Sequence, residues 1–161
     1  NETVREYVRL TQELDARDTP VVLVLFGDHK PWMGNGGSVY EEMGIDFDTS
    51  TLAGFRNYYA TPYLIWANRA AKEVLGADFT GDGGDFSPCF LMTRLFDACG
   101  WAGPGYMQLS RAMRDISPLL HTNGLFLHDG VLTSVLSDTD RSFYRSWLAV
   151  QYYREHVAAY S

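Results

Sequence analysis

Six consecutive apolar residues, Val21, Val22, Leu23, Val24, Leu25 and Phe26, run into Gly27 and then directly into Asp28 and His29. A run this short and this uniformly apolar reads as a strand, because a helix would need roughly ten residues or more. Without polar alternation it suits the centre of a parallel sheet covered on both faces. Gly27 permits a sharp turn, and in open α/β sheets ligands gather just beyond the carboxyl ends of the strands. Asp28 and His29 stand at that exit with a carboxylate oxygen and an imidazole nitrogen, both donors to Zn²⁺ or Mn²⁺. The competing reading is a turn aspartate accepting from a nearby N–H beside a surface histidine.

The remaining composition excludes several classes. A chain of 161 residues with 46% hydrophobic and 14% aromatic content is long enough for one domain with a core and is not disordered in character. Its longest apolar run is far short of a membrane span and no basic-then-apolar leader opens it, so the chain is expected to be soluble. A formal charge of −7 with no Lys/Arg cluster argues against a nucleic-acid partner or a polybasic lipid patch. Cys89 and Cys99 fall in a segment that reads as helical, where their separation is about 15 Å of rise, beyond disulfide reach. Two buried free thiols are expected.

Residues 2–17 carry Val4, Tyr7, Val8, Thr11 and Leu14 on one face of an amphipathic helix, with Asn1 as its cap. Residues 30–38 form a Gly-rich loop expected to be long and mobile over the strand exit. Residues 40–44 predict a helical turn and residues 50–59 a helix. Residues 61–66 predict a second buried strand, with Pro62 near its start where a missing N–H does least damage. The length of the connection favours a parallel, right-handed crossover between the two strands. Residues 69–75 predict a short helix. The Gly/Asp loop at 76–85 divides a sheet-bearing half, residues 1–76, from a mostly helical half, residues 77–161. In that second half, residues 87–98, 105–116 and 139–159 show helical spacing, the last capped by Ser137 or Asp138, and Asp129-Gly130 predicts a hairpin turn between residues 125–128 and 131–135.

The segment FGDHKPWMG, followed downstream by YYATPYLIWAN, resembles a pattern near the C-terminal end of the sulfatase-like domain in the lipoteichoic-acid synthase family of phosphoglycerol transferases, within the alkaline-phosphatase superfamily. The match covers residues 21–68 and is vague beyond them. The resemblance implies a partial three-layer α/β/α sandwich, with Asp28 and His29 as ligands of a catalytic divalent metal, Mn²⁺, Mg²⁺ or Zn²⁺. It also implies a membrane-anchored parent at the extracytoplasmic face of a bacterial membrane, transferring phosphoglycerol or a related headgroup from a lipid phosphodiester. A catalytic metal takes about three protein ligands, and relatives draw the others, with a Thr nucleophile, from sequence N-terminal to the motif. Residues 1–27 hold no strand-borne Thr, since Thr3 and Thr11 belong to the opening helix. The expected partner is therefore the N-terminal remainder of the same domain, and no catalytic nucleophile is expected in the fragment. A sulfate-ester hydrolase of the same superfamily and a non-catalytic binding or interaction domain are the alternatives.

Other features point less sharply. Trp32 is a candidate for the substrate entrance, with ordinary packing as its plain alternative. Asp78, Asp82 and Asp85 lack the alternating spacing of a calcium loop, and residues 34–38 lack the spacing of a phosphate-binding loop. His121, His128 and His156 have no metal-like spacing, and no G-x-S-x-G elbow is present.

Overall fold

The computed structural model describes residues 2–157. The expected cap at Asn1 and the last two residues of the expected final helix lie outside them. Helix α1 (Glu2–Asp15) forms on the predicted apolar spacing, and Arg9 braces its outer face against Glu6 at 2.9 Å and Glu13 at 2.5 Å. No residue of α1 is buried, and Val4 and Val8 stay exposed. Its C-terminal end is held by Asn68, whose side-chain amide donates to the carbonyls of Leu14 and Thr19.

Strands β1 (Val22–Phe26) and β2 (Tyr63–Ala67) form where the two apolar runs predict them, but they pair antiparallel, with Val22 opposite Ala67 and Phe26 opposite Tyr63. The parallel crossover is thus corrected. The physical reason lies in the connection: its longest helix, α3 (Leu52–Tyr59), is about 12 Å long, shorter than the roughly 17 Å of a five-residue strand, and the rest is turns and the short helix α2 (Ser38–Glu42). The chain therefore returns to the end of β1 that it left. There the Gly27 N–H donates to the Pro62 carbonyl at 3.0 Å and the Thr61 hydroxyl to the Gly27 carbonyl at 2.6 Å.

The expectation of a strand covered on both faces is corrected as well. Leu25 and Phe26 of β1 and Leu64 of β2 are exposed, on both faces of the pair. Gly27 and Val21 sit at hydrogen-bonded positions of the ladder, the latter accepting from Asn68 N. By alternation, Val22, Val24 and Phe26 direct their N–H and C=O groups away from β2, and Tyr63, Ile65 and Ala67 direct theirs away from β1. Among the described residues no strand pairs with either outer edge.

Helix α4 (Arg69–Leu75) follows at once, capped by Asn68, and ends on Gly76 at φ 64°, a left-handed position. In the second half, a 3₁₀ turn over Pro88–Phe90 leads into α5 (Leu91–Ala98), then α6 (Gly105–Ile116). Strands β3 (Phe126–His128) and β4 (Val131–Thr133) form the predicted hairpin, with Asp129 at φ 49° and Gly130 at φ 77°. Both residues of the turn take the positive φ that favours Asp-Gly. Helix α7 (Asp138–His156) is capped by Ser137, whose side chain accepts from Asp140 N.

Phe90, Met113 and Trp147 are the buried centre of this half, and the Trp147 indole N–H donates to Ser110 Oγ at 3.0 Å. Asp97 of α5 is clasped by Arg111 and Arg114 of α6, each at 2.7 Å. Burial pushes the Asp97 carboxyl up, but hydrogen bonds from Arg114 and Arg111 outweigh it and hold the group below the usual carboxylate range. The cysteines are both free; Cys99 is buried as expected, whereas Cys89, on the 3₁₀ turn, is exposed.

The fold is mixed α/β, about half helical, with two small sheets. No helix among the described residues is long and apolar enough to cross a membrane.

Candidate functional site

Asp28 and His29 leave the end of β1 fully in reach of solvent, their side chains 82% and 79% exposed. Asp28 Oδ1 accepts the His29 backbone N–H at 2.8 Å, which turns the chain between them. His29 Nδ1 lies 3.0 Å from the Lys30 carbonyl. A carbonyl oxygen only accepts, so Nδ1 carries a hydrogen in this contact. Nε2 stands 3.6 Å from Asp28 Oδ2. Two donors each about 2.1 Å from one ion lie at most about 4.2 Å apart, so the pair is spaced to share a cation. The Lys30 carbonyl supplies the outer hydrogen bond that orients a ligating imidazole. No third His, Cys, Asp or Glu among the described residues joins them.

Antiparallel pairing weakens one argument for this site. The exit of β1 is also the entrance of β2, so the rule for parallel strands does not by itself select this end. A second pair of the same shape also exists at the hairpin turn, where His128 Nδ1 lies 3.2 Å from the Ile116 carbonyl and Nε2 3.7 Å from Asp129 Oδ2. What sets Asp28 apart is its surroundings. It borders a cavity of about 310 Å³ that β1, α3 and residues 84–88 and 119–121 enclose.

Several residues of that cavity carry no signal in the sequence. Arg56 of α3 forms an ion pair with Asp85, joining the sheet half to the loop after it. The His121 ring packs against Phe55 and Tyr59, with centroids at 5.3 and 4.6 Å. The Phe55 and Tyr59 spacing on α3 was the available clue, but their partner lies more than sixty positions away.

The weaker candidates resolve as structure. Asp78 and Asp82 accept from the backbone N–H groups of Thr80 and Gly84, and each closes a local turn. The hydrogen bonds from Thr80 hold the Asp78 carboxyl below its usual range. Residues 35–37 form a 3₁₀ turn running into α2, and the Tyr40 hydroxyl donates to the Pro31 carbonyl. Trp32 is 71% exposed and does not line the cavity. Thr3 and Thr11 lie in α1, as expected.

Comparison with protein-family models, with curated proteins and with solved structures finds no match.

Proposed function

We propose that this chain is the C-terminal part of a sulfatase-like domain, of the alkaline-phosphatase superfamily type, in a metal-dependent transferase that moves phosphoglycerol or a related headgroup from a lipid phosphodiester. The observation that carries the reading is the Asp28 and His29 pair, with Oδ2 and Nε2 3.6 Å apart and the ring turned by the Lys30 carbonyl. Both residues belong to the FGDHKPWMG segment that resembles the lipoteichoic-acid synthase family.

Two features support incompleteness. The chain exposes 10631 Å², whereas a compact monomer of 18.2 kDa exposes about 8,100 Å². The difference, about 2,500 Å², is of the order one side contributes to a large permanent interface. The two-stranded sheet also has both edges free among the described residues and apolar side chains exposed on both faces. A three-layer sandwich built with the N-terminal remainder of the domain would cover them, and the parent would work at the extracytoplasmic face of a bacterial membrane.

In the complete enzyme Asp28 and His29 would hold the divalent ion, which stabilises charge on the transferring phosphate oxygens. The chain's own contribution is to fix the imidazole tautomer through Lys30 and to keep both donors facing solvent, open to a substrate. The nucleophile and a third ligand come from elsewhere. A sulfate-ester hydrolase is the nearest alternative. The observation that speaks for the binding-domain alternative is that no third His, Cys, Asp or Glu joins the pair among the described residues.

The test is activity. The chain alone turns over neither phosphodiesters nor sulfate esters, since no covalent intermediate forms without a nucleophile. A longer protein with the N-terminal remainder restored shows metal-dependent turnover that His29→Ala abolishes. Inertness of that protein against both ester classes, with metal and a nucleophilic Thr present, favours the binding domain.

A further inference from the structure

We propose that the outer edge of β1 pairs with the same edge of a second copy of this chain, joining the two sheets into one continuous antiparallel sheet about a two-fold axis. The inference does not rest on the metal site. It concerns the chain as it stands, and a strand supplied by an N-terminal remainder would compete with the second copy for the same edge.

Val22, Val24 and Phe26 turn their backbone N–H and C=O groups away from β2, and no described residue bonds to those groups. A row of unpaired amides is a template for another strand, and proteins usually blunt it with a charged side chain, a proline or a bulge. β1 carries none of these. Its five residues are Val, Leu and Phe, and its register with β2 runs without interruption from Val22 to Phe26. The opposite edge is less open: of its outward residues, Ala67 is buried, and Tyr63 leans on Phe86 and donates to the Gly84 carbonyl. Phe26, at the end of the β1 edge, is 56% exposed.

The β1 edge is complementary to itself. Outward amides pair only with outward amides, so two antiparallel copies set Val24 of one opposite Val24 of the other, and Val22 opposite Phe26. That is the self-matching contact of a two-fold dimer. Every facing pair is apolar, and no like charges oppose each other. The formal charge of −7 repels two copies at a distance, but physiological salt confines such repulsion to about 8 Å. Surface is not limiting either: the roughly 2,500 Å² exposed beyond that of a compact monomer exceeds the about 800 Å² that each partner gives to a stable interface.

Sedimentation equilibrium of the whole chain over a concentration series reads the mass, which is expected to pass from that of one 18.2 kDa chain to twice that value. Val24→Pro removes an N–H that faces away from β2, so it spares the β1–β2 ladder and abolishes the dimer. Ile65→Pro makes the same change on the outer edge of β2 and leaves the dimer intact. Where circular dichroism shows that proline unfolds either protein, Val24→Lys and Ile65→Lys take their places. Val24→Lys sets two ammonium groups face to face across the axis and so abolishes the dimer. An equimolar mixture of Val24→Lys and Val24→Glu proteins regains it, because opposite charges then meet. The proposal is overturned if the wild type stays monomeric throughout, if a folded Val24→Pro or Val24→Lys protein still dimerises, if the Ile65 variants lose the dimer while remaining folded, or if the Lys and Glu proteins fail to associate when mixed.

Discussion

Asn68 Oδ1 accepts the backbone N–H of Val21 at 2.9 Å, across a separation of 47 residues, and so sets the start of β1 against the end of β2. The same oxygen accepts from Ala71 N at 2.9 Å, capping α4, while the amide nitrogen donates to Leu14 and Thr19 at 3.0 and 2.9 Å. One fully buried side chain thereby joins α1, both strands and α4.

Replacing Asn68 by Ala leaves these backbone groups unpaired in a buried place. At about 1 to 3 kcal/mol for each orphaned group, with some recovered by water, the expected loss is about 3 kcal/mol. Asn68→Asp does no better, because it turns a carboxylate toward carbonyl oxygens. Urea unfolding of both variants measures the effect.

Gly54 in α3 is also fixed by close approach. A Cβ there would stand 2.1 Å from the Asp48 carbonyl oxygen, a backbone atom with nowhere to go. Gly54→Ala is expected to cost about 2 kcal/mol or more by forcing the backbone apart, against about 1 kcal/mol for Thr51→Ala, which removes only the α3 cap. Thermal melts of the two variants should preserve that order.

The helices and the hairpin were legible because their signals are local. The 105–116 helix appears with its predicted bounds, Ser137 caps the last helix, and Asp129-Gly130 makes the turn that its residue types favour. The direction of the strand pair was not legible, because a wholly apolar run such as 21–26 states that it is buried and not which way its neighbour runs. Exposure of Leu25 and Phe26 was hidden for the same reason. The Asp28 and His29 exit was visible as a motif. The Arg56 and Asp85 pair left no periodic trace, and of the Phe55, Tyr59 and His121 cluster only the spacing of the first two on α3 was readable, because His121 reaches them from a distant part of the chain.

Asp97 gives a pH dependence with a definite sign. Its folded carboxyl is held below the usual range, so its contribution is fully present above the unfolded value of about 3.9 and is lost as pH falls through the lowered folded value. Asp97→Asn should unfold more easily at neutral pH, by about 2 kcal/mol for a partly buried carboxylate between two guanidinium groups. It should also show a shallower loss of stability below about pH 4. Denaturant melts from pH 7 to pH 2 compare the two proteins.

The most direct measurement is calorimetric titration of the chain with Mn²⁺ or Zn²⁺. Two donors without their partners hold an ion weakly, so weak binding is expected in the wild type. It should disappear in Asp28→Ala and His29→Ala proteins that remain folded, and persist in His128→Ala and Asp129→Ala proteins, where the second adjacent pair is removed. Tight stoichiometric binding indifferent to Asp28 and His29, or binding lost with the His128 and Asp129 pair instead, would contradict the assignment.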